Sequence, residues 1–134
     1  MKHEEITNKV IQAFYKVYNA MGYGFLEKVY RNALNYELLE QGLNVSPETK
    51  INVYYKGHLV GDYYADLMVE GTVICELKTA ENLCEADENQ LLNYLRATDV
   101  EVGLLLNFGK KPEVRRKVYD NEKKYWRTTN ISKV

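Results

Sequence analysis

Residues 65–78, ADLMVEGTVICELK, constrain the fold more than any other stretch, because charged residues interrupt an otherwise apolar hairpin. The charged residues are Asp66, Glu76 and Lys78. Side chains alternate along a strand, so Glu76 and Lys78 project to the same face. A strand that packs into a core carries such residues only for a reason. They could form a solvated face, a salt-bridge cluster or a metal site.

The alternation also predicts the register of this hairpin. The apolar side chains share one face when these pairs oppose each other: Val69 and Val73, Leu67 and Cys75, Ala65 and Leu77. Asp66 then lies directly across from Glu76. This register needs a three-residue connection, residues 70–72, in which Gly71 or a neighbour takes the left-handed conformation.

The predicted pairing has a chemical consequence for the two carboxylates. Paired residues on antiparallel strands have β-carbons about 5 Å apart. Asp66 and Glu76 at that separation repel each other, so one is protonated or a cation lies between them. Oxygen ligands suit a hard ion such as Mg²⁺. Lys78 could then stabilise a developing phosphate charge or orient a water molecule. The alternative is a surface network of little energetic value.

The remaining elements follow from hydrophobic periodicity and turn residues. Helical spacing predicts helices over 4–21, 25–41 and 85–98. Alternation predicts strands over 51–57, 62–69 and 72–78, with a turn around 58–60 bracketed by glycines. The apolar run 100–108 predicts a strand covered on both faces. After Pro112 we expect a short helix or turn, a short strand near Val118 and a loosely held end.

This order predicts an antiparallel meander of three strands, followed by a right-handed helical crossover to a parallel fourth strand. The class is α/β with a mixed sheet. The third helix carries Gln90 and Tyr94 on one face, four residues apart, and it must pack across the sheet. Glu27 and Tyr30 lie one turn apart on the second helix. Spacing alone favours a surface glutamate beside a core tyrosine.

Composition narrows the remaining classes. The 134 residues fit one domain, 1–134, and the apolar runs are too short to span a bilayer. The N-terminus lacks an apolar signal-peptide core, so we expect a cytoplasmic protein. Cys75 and Cys84 match no zinc or redox spacing. The net charge is −1, so nucleic-acid binding needs a local basic patch. The eight basic residues in 110–127 could form one, or this segment could simply be a solvated tail.

Together these residues resemble the PD-(D/E)XK nuclease-like superfamily. Nine residues separate Asp66 from Glu76-Leu77-Lys78, and a helix with Gln90 and Tyr94 follows. Within the superfamily the chain resembles the GxxExxY family, whose signature fits GFLEKVY at 24–30. Two further blocks look like that family, namely YKGHLVGDYYADLMVEGTVICELKT and QLLNYLRATDVEVGLLLNFG. The superfamily motif often has a proline before its aspartate, where this chain has alanine.

The resemblance implies a restriction-endonuclease-like core (αβββαβ), with a mixed central sheet, flanking helices and one extra N-terminal helix. It also implies a hydrolase that uses Mg²⁺ or Mn²⁺ to cut DNA or RNA. Asp66, Glu76 and the carbonyl of Leu77 would hold the ion, and Glu27 would complete its shell. Lys78 would act on the attacking water or the scissile phosphate. Gln90 and Tyr94 would position a ligand or brace the site.

Two other classes of function remain open at this stage. The chain could be a non-catalytic module that binds a nucleotide, nucleic acid or protein, using residues 110–127. It could also be a structural partner or a homo-oligomer, because aromatic residues such as Tyr54 and Tyr55 are enriched at interfaces. Neither alternative involves a membrane.

Overall fold

The structure is a computed structural model, and it describes residues 1–127. Its elements, in chain order, are α1 (Glu4–Met21), α2 (Glu27–Glu40), β1 (Val45–Tyr55), β2 (His58–Val69), β3 (Val73–Lys78), α3 (Glu85–Ala97), β4 (Val102–Phe108), β5 (Pro112–Val118) and a 3-10 helix (Asn121–Lys123). The strands form one sheet in the order β1-β2-β3-β4-β5. β3 and β4 are parallel and the other neighbours are antiparallel. The predicted α/β class with a mixed sheet is confirmed.

The first helix has its predicted bounds, and Gly22 ends it with φ 71°, a conformation that glycine adopts without strain. The second helix begins at Glu27 rather than near residue 25. Phe25 and Leu26 belong instead to the connecting loop. This loop carries its own hydrogen bonds, so the helical spacing of its apolar residues was misleading at that end.

The hairpin between β1 and β2 corrects the prediction of a turn around 58–60. The turn is Lys56–Gly57, where both residues have positive φ, 49° and 80°. Two such residues form the tight loop whose twist matches that of the strands. His58 therefore already pairs with Tyr55. β1 also begins earlier than expected, at Val45.

The region after Pro112 corrects a second prediction. We expected a short helix or turn there, but Pro112–Val118 is a regular strand that pairs antiparallel with β4. Proline is tolerated because it is the first residue of a strand at the sheet edge. The expected loosely held end is also wrong as far as Arg127. Lys124 is fully buried, and the indole of Trp126 donates to the carbonyl of Arg96. Residues 128–134 lie outside the described part of the chain.

The sheet separates two cores. One face packs against α1 and α2, with Phe14, Leu34 and Phe108 among its largest buried side chains. The other face packs against α3, through Leu91 and Leu95. Every residue of β4 is buried, as its apolar run predicted. Cys75 is buried in the first core, and its thiol is free.

Within residues 1–127, no helix is both long enough and apolar enough to cross a membrane.

Candidate active site at the opened end of the β2–β3 hairpin

The ladder between β2 and β3 opens at Asp66. Regular pairing runs from Val69 opposite Val73 to Leu67 opposite Cys75, as the apolar alternation predicted. Residues 70–72 connect the strands, and both Glu70 and Gly71 have positive φ. The backbone pairing then stops, one residue before the two carboxylates, so the predicted pairing of Ala65 with Leu77 is wrong.

Side chains replace the missing ladder bonds. The amide of Asp66 donates to Glu76 Oε1 at 3.0 Å, and the amide of Leu77 donates to Asp66 Oδ2 at 2.8 Å. Each carboxylate therefore occupies a place that a main-chain carbonyl would take in a regular sheet. These two hydrogen bonds bring the acidic groups together between β2 and β3. They also hold the main chains of the two strands to each other.

The course of β2 changes at this point. Leu67 packs in the core on the side of α1 and α2, but Ala65 packs with the residues beneath α3. In a regular strand these two side chains would share a face. Opposite them in β1, Glu48 has φ 49°, a conformation unusual for a non-glycine residue. The hairpin is thus twisted at Asp66, and its outer half leans towards α3.

The carboxylate pair is electrostatically costly. Glu76 is only 4% exposed. Burial, followed by the charge of Asp66, raises the pKa of Glu76 to about 9. Lys78 opposes this shift but does not cancel it. A buried acid facing a second acid keeps a proton or takes up a cation.

Lys78 connects the carboxylate pair with α3. Its ammonium donates to Gln90 Oε1 at 2.7 Å, and Gln90 Nε2 donates to the hydroxyl of Tyr94 at 3.1 Å. Tyr94 is 5% exposed, and burial followed by Glu76 raises the pKa of its phenol. The fold thus joins five of the predicted site residues in one cluster: Asp66, Glu76, Lys78, Gln90 and Tyr94.

Glu27 approaches the same cluster from the first turn of α2. Burial, then the charge of Asp66, raises the pKa of its carboxyl, while Lys78 and Arg31 lower it. These influences reveal that Glu27 lies within electrostatic range of the pair although it is largely exposed. Helical spacing favoured a surface glutamate beside a core tyrosine, and Glu27 is exposed while Tyr30 is fully buried.

Tyr30 holds the loop in front of Glu27. Its hydroxyl donates to the carbonyl of Gly22 at 2.6 Å and accepts from the amide of Phe25 at 3.2 Å. Its ring stacks on Phe108 at 4.4 Å. Gly24 has φ 108°, which few other residues tolerate. The glycine, glutamate and tyrosine of GFLEKVY therefore shape a loop, present a carboxylate and brace that loop.

Asn107 is a residue of this site that the sequence did not single out. It is fully buried at the end of β4. Its amide accepts from the amide N–H of Ala80 and donates to the carbonyl of Ala80 and to Glu113. It thereby fixes the segment that leaves β3 after Lys78. The only signal was a polar residue inside an apolar run.

The donor set suits a hard divalent cation. Asp66 and Glu76 offer adjacent carboxylate oxygens, and burial, followed by the charge of Asp66, raises the pKa of Glu76. Glu27 is a third carboxylate near this pair. The carbonyl of Leu77 lies in β3, directly after Glu76. Among residues 1–127, no three histidine, cysteine, aspartate or glutamate side chains already form a metal-ligand cluster. Glu27 would have to approach to complete one.

The basic segment after β4 is largely engaged within the fold. Arg115 pairs with Glu113, and Lys117 pairs with Glu88 at 2.6 Å. Arg116 donates to the main chain of Lys2. Lys110 and Lys111, in the β4–β5 turn, are exposed.

Comparisons with known proteins concern the family and the fold. A family model described as "PD-(D/E)XK nuclease superfamily" matches residues 4–117. A solved structure titled "Crystal structure of SSO0001" aligns with a TM-score of 0.50 at 15% identity, over 79% of this chain and 55% of that one. This chain thus spans just over half the length of that protein, and the likeness concerns the fold alone. No curated protein matches the sequence.

Proposed function

Because this chain belongs to the PD-(D/E)XK nuclease superfamily, we propose that it is a metal-dependent phosphodiesterase acting on nucleic acid. The observation that carries the proposal is the exchange of bonds at the opened hairpin, which sets Asp66 beside Glu76. The amine of Lys78 lies in the same cluster, held by Gln90. Two carboxylates and a lysine in this arrangement serve phosphodiester hydrolysis better than they serve stability.

Each residue has a proposed role. Asp66, Glu76 and the carbonyl of Leu77 hold Mg²⁺ or Mn²⁺, and Glu27 completes the shell directly or through water. The ion, when bound, supplies charge stabilisation at the phosphate and a more acidic water. The backbone bonds to Asp66 and Glu76 fix the orientation of both carboxylates, which reduces the reorganisation needed on binding.

Lys78 acts on the attacking water or the scissile phosphate. Its bond to Gln90 directs the ammonium, and Tyr94 in turn directs the amide of Gln90. The tyrosine hydroxyl is therefore a positioning group, acting through Gln90. A lysine oriented in this way stabilises negative charge that develops on a phosphate oxygen.

We also assign the chain to the GxxExxY family within the superfamily. The support is that the three signature residues, Gly24, Glu27 and Tyr30, each have a structural or electrostatic role in the loop beside the site. Gly24 permits the turn, burial and the charge of Asp66 raise the pKa of Glu27, and Tyr30 bonds to both sides of the loop.

The direct test is cleavage of single- and double-stranded DNA and RNA in the presence of Mg²⁺ or Mn²⁺. Wild-type protein should cut at least one of these substrates, and EDTA should stop it. Lys78→Ala should lower the rate by about 100-fold or more, since a preorganised charge at the reacting group is lost.

The matched control is Lys9→Ala, which removes a lysine from the exposed face of α1, where it pairs only with Glu5 among the described residues. This variant should cut at the wild-type rate. Equal activity in wild type and Lys78→Ala, or no activity under any of the conditions, would contradict the proposal.

A non-catalytic binding module is the second candidate. It is favoured by the lack of an assembled three-ligand cluster within residues 1–127. Calorimetry with Mn²⁺ separates the two functions. Binding by wild type that is lost in Asp66→Asn supports the metal-dependent enzyme, whereas no binding by either protein supports the module.

Self-association is a further proposal for this chain. The outer half of the β1–β2 hairpin exposes several large apolar side chains, among them Tyr54, Tyr55, Leu59 and Val60. Exposed aromatic residues of this kind are typical of interfaces. Light scattering at several concentrations should reveal a mass that rises with concentration, and a constant monomer mass would contradict it.

A further inference from the structure

Two clefts flank the carboxylate cluster. The first, the loop cleft, has a volume of about 630 Å³ and lies between the α1–α2 loop and the ends of β3 and β4. Its wall includes Glu27. The second, the helix cleft, has about 340 Å³ and lies between Tyr63 and the outer face of α3, where Gln90 and Tyr94 line it. Both volumes fall in the range of small-molecule sites. Both clefts share residues with the candidate active site.

The loop cleft presents aromatic surface on a rigid support. Tyr23 and Phe25 are 56% and 49% exposed, although large aromatic side chains usually pack away from water. The bonds from Tyr30 hold the loop that carries them. The opposite wall is fixed by Asn107 through Ala80. Rings displayed in this way are ready to stack on a flat ligand without a large loss of entropy.

The charges of the loop cleft favour a base over a chain of phosphates. Lys110 lies at its rim and could meet one phosphate. Glu27 and Glu81 lie on its walls and would repel several. A single base stacked on Phe25, with its phosphate near Lys110, satisfies both features.

The helix cleft repeats this combination on the other side of the cluster. Tyr63 is 53% exposed, and its ring lies 5.4 Å from the ring of Tyr94. Asn89 and Asn93 line the same cleft one helical turn apart. Arg96 donates to Asn93 Oδ1 at 2.8 Å, which orients that amide. Carboxamides beside a stacking ring are the groups that read base edges.

The small number of unpaired basic side chains near the site argues against duplex binding. A protein that holds a duplex neutralises many phosphates with lysine and arginine. The net charge here is −1, and Arg115 and Lys117 are already paired within the fold. In a duplex the faces of the bases are also hidden by their neighbours. Exposed rings can stack only on bases that are unpaired.

We propose that the site takes single-stranded nucleic acid, with one base stacked on Phe25 in the loop cleft and another on Tyr63 in the helix cleft. The strand then crosses the carboxylate cluster between the two bases. This inference rests on the proposed function, because it uses the same cluster as the place of cleavage. Phe25 and Tyr63 would then select single strands over duplexes.

The test is binding without cleavage. Fluorescence anisotropy in EDTA would compare a labelled single strand of about 12 nucleotides with the same sequence as a blunt duplex. The single strand should bind at least about tenfold tighter. Phe25→Ala and Tyr63→Ala should each weaken its binding by about 5- to 100-fold, as expected for the loss of one stacked base.

Three further variants make the result specific. Tyr36→Ala removes a tyrosine that is 66% exposed on α2 and lines neither cleft, so it should bind like wild type. Phe25→Trp and Tyr63→Phe keep a ring and should restore binding. Tryptophan emission from Phe25→Trp should be quenched when the single strand is added, a signature that general loosening of the loop would not produce.

The outcomes separate this inference from the proposed function. Duplex binding as tight as single-strand binding, wild-type affinity in both alanine variants, or no measurable binding by wild type would each overturn the inference. Cleavage restricted to duplexes would overturn it as well and leave the nuclease function standing. Failure of cleavage with intact, ring-dependent binding of single strands would refute the nuclease function and leave the stacking sites in place.

Discussion

Glu76 and Lys124 are the charged side chains that the described part of this protein buries, and their surroundings differ in kind. Lys124 is fully buried, and its ammonium donates to the carbonyls of Thr98 and Val100 at 2.6 Å each. Glu76 faces the carboxylate of Asp66 and accepts only one backbone bond from it. One buried charge meets groups of the opposite polarity, whereas the other meets a like charge.

The surroundings of a buried charge distinguish a structural role from a functional one. Burial alone is common to both residues. The dipoles around Lys124 match its charge, so it anchors the chain after β5 against the end of α3. Asp66 and Glu76 each accept one backbone amide bond, but these bonds do not offset the repulsion between the two carboxylates, so their arrangement is complete only with a cation or a proton. A mismatched buried charge is therefore the better indicator of a site.

The largest expected difference concerns metal binding. Asp66→Asn and Glu76→Gln should each weaken Mn²⁺ binding by about 100-fold or more, because a charged oxygen ligand is lost. Lys124→Met should bind Mn²⁺ like wild type, since its ammonium contacts no proposed ligand. Titration calorimetry measures all three. A similar loss in Lys124→Met would break the distinction between the two buried charges.

The next largest effect concerns stability in the absence of metal. Lys124→Met should lower the free energy of unfolding by about 2–4 kcal/mol, because the carbonyls of Thr98 and Val100 lose a charged donor. Glu76→Gln should leave it unchanged or raise it, since the amide oxygen can still accept from Asp66 and the repulsion is gone. Urea denaturation in EDTA measures both.

Lys123→Met is the matched control for that experiment, because Lys123 is the exposed neighbour of Lys124. It should change the free energy of unfolding by less than about 0.5 kcal/mol. If Glu76→Gln proved as destabilising as Lys124→Met, the carboxylate pair would be structural in the same sense as the lysine.

A smaller effect on stability is expected at the loop beside the carboxylates. Tyr30→Phe should lower the free energy of unfolding by about 1–2 kcal/mol, because the carbonyl of Gly22 and the amide of Phe25 lose a shared partner. Tyr36→Phe removes a hydroxyl from an exposed tyrosine of the same helix and serves as the control. Equal effects of the two substitutions in urea denaturation would show that the Tyr30 hydroxyl braces nothing.

The smallest expected effect is a dependence on alkaline pH. Burial lowers the pKa of Lys124 to about 8, against about 10.4 for an unfolded lysine. Between these values the unfolded chain binds more protons, so the free energy of unfolding should rise with pH on account of this residue. Comparing wild type with Lys124→Met at pH 8 and pH 10 isolates the contribution. A wild-type value that fell relative to the variant would contradict the lowered pKa.

Much of the hairpin could be predicted because its pattern is local. Alternation of apolar side chains set the pairing of Leu67 with Cys75 and required the odd-length connection at 70–72. Helical spacing predicted that Gln90 and Tyr94 share one face of α3, because they are four residues apart. The turn at Lys56–Gly57 was missed because lysine rarely takes positive φ. A strand near Val118 was expected, but its start at Pro112 was missed because an edge strand carries no apolar pattern.

Local sequence patterns were enough to predict the order of helices and strands as far as β4, the register at Val69 and Leu67, and the meeting of Asp66 with Glu76, since each depends on alternation or spacing within a short segment. The folded chain was needed to reveal that side chains replace the ladder bonds at the opened hairpin, and that burial and the charge of Asp66 raise the pKa of Glu27. It alone brought Asn107 to Ala80 and made Lys124 a buried anchor. Such contacts join residues far apart in the chain, and their strength depends on burial and on the polarity of the neighbours, which no local pattern records.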